Sequence, residues 1–564
     1  MPPRIRAAIL ATAFALVCNS SALPLAVARP VAGPALTPGC PKASYADEAA
    51  LLQELQGATY ACAEAIAAAL RPRADVAVAD GLLAMAASGS NALVRRNGLR
   101  ALGRLAEAPR GSRARELVLR LRAAQLQELL EEILATEQDN FLVQDAIWLL
   151  DSFFYPSFSA AAGLERAAAD AALAPDLRYR AALARARLIY ARSGPLAEPD
   201  AAFILGGLRS ADPGVRAAAA GAVARLRSDQ LTPELRAKLE RALAAAWEAE
   251  PPLALAPDTP APPMARIVES QPTSLTARAA IARARDRLAG SATHLAELQT
   301  AYEALALPHR LTGEGIELWG GAPREALPEL LAEAERVQAA LGAILGPELV
   351  APIPGEGEAP LRIMIFSGQG VYRDYMRAFT SLPIDVDGTY DEATATLYTH
   401  ERTAAQSENT LAETMRHELT HHLTSRALFP GGWLSAGYHN EPKGWLDEGL
   451  AELMAGLGPD GTPAPRPAQL ARLCTLAAPP ELAGLLARRE GYDRFGSFDY
   501  DGAWALSYYL LAEHPEGLRR VAAAYRDGSY RLRDWPRLVG APLAAVEAGW
   551  HAAIERWCGG EPTG

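Results

Sequence analysis

From about Tyr45 to Arg287 apolar residues return every three or four positions in a chain rich in Ala, Leu and Arg, with few strand signals. That period places one stripe of each segment toward a core and predicts helices. Four segments repeat a theme: Asn91–Leu105, Asn140–Leu150, Asp176–Leu183 and Asp212–Leu226. A polar or proline-containing turn is followed by an apolar residue, often an arginine, and then a helix of small residues. Between Pro251 and Pro272 proline is too frequent for a continued helix, so a loop is expected there. Helical periodicity resumes from Leu275 to Leu307, and near Pro308 the pattern changes.

After Pro308 the chain reads as mixed α and β. A helix is expected from about Arg324 to Ile344. The compact apolar run Leu361–Phe366 predicts a buried strand, followed by a helical segment from Val371 to Phe379 and a turn at Asp387-Gly388. Thr394–Thr399 is β-prone and alternating; a strand in that place, just ahead of the next helix, is expected to form the edge of a cleft. That helix begins at Thr410, where Thr410 and Glu413 make a capping box, and it carries Leu411, Met415, Leu419 and Leu423 as a core-facing stripe. A further helix is expected from Lys443 to Gly456.

The repeated helical theme resembles HEAT repeats at irregular spacing. Small residues let paired helices approach closely, and stacked pairs form a curved solenoid with a concave face. A plain helical bundle is the alternative. The fold expected is therefore mainly α in front, a HEAT-like solenoid, followed by an α+β domain. The division is 1–28 as a signal peptide, 29–307 as the helical domain and 308–564 as the α+β domain with a helical subdomain at its end.

Composition narrows the functional classes. The chain has 564 residues, half of them apolar, and a net charge of −11. An acidic protein without a basic cluster is a poor partner for nucleic acid or an anionic membrane, since neutralising phosphates requires Lys and Arg gathered on one surface. Arg4 and Arg6, the apolar run Ala7–Val17 and the small residues ending at Ala28 read as a secretory signal, too short in its apolar core to span a membrane. A secreted or periplasmic location is therefore expected. Cleavage would remove Cys18 and leave Cys40, Cys62, Cys474 and Cys558, and pairing by proximity in an oxidising compartment gives Cys40 with Cys62 and Cys474 with Cys558.

The chemistry lies in HELTH. His417, Glu418 and His421 form an HExxH pattern, and residues four apart share a helical face, so both imidazoles reach one metal ion with Glu418 beside it. A hydrolytic zinc site needs a third protein ligand and an open fourth position. Glu448, in WLDEGLAE, is the natural third ligand. Glu452, one turn on, either orients a ligating imidazole or forms a structural ion pair. His400, His422 and His439 are read as structural or exposed.

Tyr398–Thr403, Gln406-Ser407, Met415–Leu423 and Trp445–Glu452 resemble the peptidase domain of the bacterial, clostridial-type collagenases, which are gluzincin metalloproteases. The similarity extends from about Leu361 to Leu511 and includes Phe495–Tyr500 and Ala505–Ser507. The resemblance implies a thermolysin-like peptidase domain preceded by a HEAT-like activator domain, the two together saddle-shaped. It implies zinc on His417, His421 and Glu448, Glu418 as general base, a structural calcium on Glu392, and Gly388 as the second glycine of a strand that receives the substrate backbone. The first glycine of that pair is Asp387 here, Phe495 stands where the family has a tyrosine, with Tyr492 and Tyr500 nearby, and no collagen-binding module is legible in the sequence.

The function these readings support is a zinc-dependent endopeptidase acting on collagen or gelatin-like proteins. Two alternatives stand beside it: a gluzincin acting on other proteins or peptides, and a helical partner-binding scaffold with a structural zinc domain.

Overall fold

The computed structural model describes residues 48–108, 112–137, 139–153, 160–191, 194–256, 272–321, 323–354, 360–384, 386–403, 406–430, 441–476, 479–488 and 497–559. The signal-peptide reading, Cys40, His439, Tyr492 and Phe495 lie outside them, as does most of the proline-rich loop.

All four repeated segments are helices: Ala92–Ala106, Asn140–Phe153, Pro175–Ala191 and Pro213–Arg225. In the first and last of them the polar lead-in works as a cap. Asn91 Oδ1 accepts from the Val94 amide at 3.1 Å, and Asp212 Oδ1 accepts from those of Gly214 and Val215 at 2.8 and 3.1 Å, satisfying donors that a helix start leaves open.

Helix Ser274–Ala289 joins this front region to a β-sheet, because it is buried on two faces. Ala277, Ala280, Ile281, Ala284 and Leu288 pack with Ala217, Ala220 and Val223, while Leu275, Ala279 and Ala282 pack with Trp319, Met364, Phe366 and Tyr398 of the sheet. The next helix, Thr293–Ala306, adds Leu298, Tyr302 and Ala306 to the second cluster. Both helices precede Pro308 in sequence, yet they cover the rear of the sheet.

The sheet has five strands in the order β1-β2-β3-β5-β4: β1 His309–Thr312, β2 Ile316–Gly320, β3 Leu361–Phe366, β4 Gly388–Asp391 and β5 Thr396–His400. The first two form an antiparallel hairpin that the hydrophobic pattern did not reveal, turned by Gly315 at φ 68°. A crossover helix, Leu327–Leu345, then returns the chain so that β3 lies parallel to β2. Helix Gln369–Phe379 makes the next crossing, after which β5 lies parallel to β3, and β4 lies antiparallel to β5 at the outer edge.

Alternation divides the sheet. Ile316, Leu318, Ile363, Ile365 and Leu397 face the crossover helix together with Met415 and Leu419, while Met364, Phe366 and Tyr398 face the rear. Asp387-Gly388 is therefore the entry to an edge strand rather than a turn, and β5, expected at the edge, is interior. Asp-Gly carries a strong local turn signal, but the ladder with β5 outweighs it.

Two helices carry the chemistry. The motif helix is Leu411–Ala427, begun by the full Thr410/Glu413 capping box, and the carboxylate helix is Gly444–Ala455. They run antiparallel. Arg416 donates to the Ala455 carbonyl at 2.7 Å, and Thr424 Oγ1 donates to Asp447 Oδ1 at 2.6 Å. Behind the carboxylate helix, helix Ser497–Glu513 approaches so closely that a β-carbon on Gly449 would stand 2.7 Å from the Ala503 carbonyl oxygen, which is why glycine occupies that position. A disulfide between Cys474 and Cys558 ties helix Pro467–Leu473 to the last helix, Leu543–Cys558, as the cysteine spacing predicted. Cys62 is also disulfide-bonded.

Candidate metal centre

Helical spacing brings His417 and His421 to one face of the motif helix, and their Nε2 atoms stand 3.1 Å apart. The carboxylate helix places Glu448 Oε2 at 3.5 Å from each of them. A tetrahedral zinc site with bonds of about 2.0–2.1 Å puts neighbouring ligand atoms about 3.3–3.4 Å apart, so this triangle has the dimensions such an ion requires. Among the described residues it is the one group of three or more His, Cys, Asp or Glu side chains so arranged.

The far nitrogens explain the orientation. His417 Nδ1 faces Glu452 Oε1 at 3.5 Å, and His421 Nδ1 faces Asp447 Oδ1 at 3.2 Å. A carboxylate can only accept, so these partners assign the ring proton to Nδ1 and leave both Nε2 lone pairs pointing inward. Glu448 Oε2 is buried and has no hydrogen-bond donor. Three electron-rich atoms thus converge on one point, an arrangement that a cation relieves. The ligand side chains keep 12–18 % exposure, so the cluster is open on one side.

Electrostatics say the same. Burial opposes protonation of His417 and His421, but the surrounding carboxylates outweigh it and raise both, His421 well above the ordinary imidazole value. Burial also opposes ionisation of Glu448, yet the two imidazoles hold its carboxyl down to about 2. Glu418 is raised, chiefly by burial, with His417 and His421 acting against that shift.

Strand β4 forms one wall. A β-carbon on Gly388 would stand 3.3 Å from Glu418 Cγ, so the backbone of the edge strand passes directly beside that side chain. Tyr390 on the same strand is tied back to the motif helix by His422, whose Nδ1 lies 2.9 Å from the tyrosine hydroxyl. Asp387 is restrained too: Ser407 Oγ donates to its carboxylate, and Arg402 lies 3.5 Å away.

The remaining sequence-predicted positions are dispersed. Glu392 sits half-buried on the turn between β4 and β5 and is not part of the three-residue cluster. Tyr500 lies in helix Ser497–Glu513. His400 and His422 are buried, as a structural reading requires. Glu452 faces His417 with one oxygen and forms an ion pair with Arg466 through the other. Asp447 went unnoticed in the sequence, although its place beside Glu448 was a usable signal. Arg466 and Gln469 carried none.

Comparison with known proteins gives one consistent result. The family model described as collagenase matches residues 280–542. Collagenase ColQ1 of Bacillus cereus is 31% identical over 183 residues, which is 32% of this chain and 18% of that protein. Collagenase ColA of Bacillus cereus is 32% identical over 159 residues, 28% of this chain and 16% of that protein. Collagenase ColA of Clostridium perfringens is 35% identical over 103 residues, 18% of this chain and 9% of that protein. The matched region thus spans less than a fifth of each relative.

Proposed function

Through residues 280–542 the chain belongs to the collagenase family of metallopeptidases, and from that premise we propose that it is a secreted zinc endopeptidase that hydrolyses collagen or gelatin-like proteins. The observation that carries the reading is the convergence of His417 Nε2, His421 Nε2 and Glu448 Oε2 beside the raised carboxyl of Glu418.

In this reading His417, His421 and Glu448 hold the ion, and Glu452 and Asp447 fix the two imidazoles from behind. The ion supplies Lewis acidity to the scissile carbonyl and to the attacking water. Glu418 takes the proton from that water at its carboxylate and returns it to the leaving amine nitrogen. Strand β4 pairs with β5 on one side, and its other edge accepts an extended substrate backbone at Gly388, which binds peptides without demanding one side-chain sequence. Glu392 serves as a calcium ligand on the turn that ends this strand. The helices before Pro308 form the HEAT-like activator of a saddle-shaped pair, and residues 1–28 direct export.

A second reading, a peptidase acting on other proteins, is favoured by Asp387. Its carboxylate retains 25% exposure at the mouth of the edge strand, where a bulkier and charged residue narrows access to the cleft.

The test is cleavage of triple-helical collagen, gelatin and casein by zinc-loaded protein, with Glu418→Gln as control. Cleavage of collagen and gelatin, lost in the variant while zinc is retained, is the expected result. Casein cleavage alone would select the second reading, and no cleavage of any of them would remove both.

A further inference from the structure

The two carboxylates behind the imidazoles are held in different ways. Asp447 takes its hydrogen bond from Thr424 on the motif helix itself, at 2.6 Å. Glu452 is held from outside. Arg466 Nη1 donates to Glu452 Oε2, and Gln469 Nε2 donates to the same oxygen at 2.7 Å. Both donors stand at the start of helix Pro467–Leu473, beyond the carboxylate helix and its following turn.

We infer that Arg466, seconded by Gln469, is a positioning residue for the metal centre, acting on His417 through Glu452. Two donors on Oε2 fix the plane of the carboxylate, and the opposite oxygen, Oε1, is thereby turned to His417 Nδ1 at 3.5 Å. Arg466 also supplies a positive charge where one is needed. Glu418, Glu448, Glu452 and Asp447 all lie around the two imidazoles, and among the described residues Arg466 is the guanidinium in an ion pair with one of these carboxylates.

The same guanidinium reaches the motif helix directly. Arg466 Nη2 donates to Asn409 Oδ1 at 2.7 Å, immediately before the Thr410 cap, so one side chain sets both the start of the motif helix and the carboxylate behind its first histidine. The arm that carries it is firmly fixed. Arg472 makes two bonds to the buried Asp501 carboxylate, at 2.7 and 2.8 Å, and the Cys474–Cys558 disulfide closes the other end of the segment. A segment so anchored transmits a set position; a loose ion pair at the surface would not.

The inference rests on the reading of His417, His421 and Glu448 as metal ligands, and its test is a metal-binding cycle that needs no substrate. Zinc affinity of the metal-free full chain is measured by competition with a chromophoric chelator for wild type, Arg466→Met, Glu452→Gln, the double variant and Arg466→Lys. Arg466→Met and Glu452→Gln are each expected to weaken zinc by about ten- to a hundredfold, as losses behind a ligating histidine do. The double variant should be no weaker than the worse single one, because both changes break one path. Arg466→Lys, which keeps the charge, should recover most of the affinity.

Losses that multiply in the double variant would overturn the inference, as would wild-type affinity in a folded Arg466→Met. Should Arg466→Met fail to fold, Gln469→Leu replaces it in the cycle, with the same two outcomes read from the same double variant. A wild-type chain that takes up no stoichiometric zinc would overturn the ligand reading and this inference together, whereas multiplying losses overturn the inference alone.

Discussion

Gly388 lies so close to Thr414 that a β-carbon on the glycine would stand 2.6 Å from Thr414 Cγ2. Real side chains do not tolerate that distance, so strand β4 is seated against the motif helix at backbone range, one turn before Glu418. Gly388→Ala must push the edge strand away from the helix. The expected result is a fall in kcat/KM of about ten- to a hundredfold, as misplacement of a substrate by about an ångström produces. Zinc content should not change, because the atoms nearest such a β-carbon belong to Thr414, Glu418 and the Tyr398 backbone and not to the proposed ligands. Steady-state kinetics on a gelatin-derived peptide, with metal analysis of the same preparation, would decide it; unaltered kinetics would remove β4 from the substrate path.

The seat of that strand also depends on His422. Arg426 can only donate, so its 3.0 Å contact makes His422 Nε2 the acceptor, and Nδ1–H then donates to the Tyr390 hydroxyl at 2.9 Å. Burial and the neighbouring Arg426 lower this imidazole to about 3, so the clamp is neutral throughout the physiological range. His422→Phe removes the acceptor of the half-buried Arg426 and the donor to the half-buried Tyr390, at about 0.5–1.5 kcal/mol for each lost bond. A lower melting temperature with zinc stoichiometry intact is the expected outcome. Loss of zinc from the variant would instead mean that His422 shapes the metal centre.

How much of the fold and the site was legible in the sequence varies with how local each signal is. The motif helix could be read because its cap, its stripe and its histidine spacing all fall within 17 residues. Strand β3 could be read because LRIMIF is buried along nearly all of its length. The β1–β2 hairpin escaped because His309–Thr312 alternates only weakly and its turn residues resemble those of a loop. The local Asp387-Gly388 signal reads as a turn, since the partner that makes Gly388 part of a strand comes after it in the chain. Arg466 is the extreme case. Its function depends on a carboxylate 14 positions earlier and on no periodicity, so only three-dimensional placement reveals it.

Asp286 predicts a pH-dependent joint at the rear of the sheet. Its carboxylate accepts from the amides of His294 and Leu295 at 3.0 Å each, capping helix Thr293–Ala306 from the end of the preceding helix. Burial works against the charge, but these bonds, with those from His294 and Ser291, outweigh it and hold the carboxyl at about 2, below its ordinary 3.8. A depressed folded-state value means the stabilisation is complete above the unfolded value and is lost as pH falls from about 4 through about 2, amounting to about 2 kcal/mol. Hydrogen exchange at the His294 and Leu295 amides, corrected for intrinsic rates, should lose protection across that window. In Asp286→Asn the protection should be low at pH 5 and change little on acidification; protection equal to wild type at pH 5 would deny the cap.

Truncation separates the two helices at the rear of the sheet from the rest of the front region. A chain begun at Pro308 loses Leu275, Ala279, Ala282, Leu298 and Tyr302, and with them the cover over Trp319, Met364, Phe366, Tyr372 and Tyr375. A chain begun at Thr273 keeps that cover and exposes instead the face of Ala277, Ala280, Ile281, Ala284 and Leu288, which is made mostly of small side chains. At about 25 cal/mol per Å² of apolar surface, uncovering several aromatic rings costs far more than uncovering alanines. The shorter chain should aggregate or melt well below the longer one, and the longer one should bind zinc as the full chain does. Comparing the two by size-exclusion chromatography, thermal unfolding and metal content decides the matter, and a soluble, zinc-binding chain from Pro308 would show that the rear helices belong to the front region alone. Activity of the Thr273 chain then isolates the role of the helices before it, because the sheet and the metal centre are intact there: unchanged cleavage of a folded substrate would reject a required activator, and a selective loss on folded substrates with small peptides still cleaved would support one.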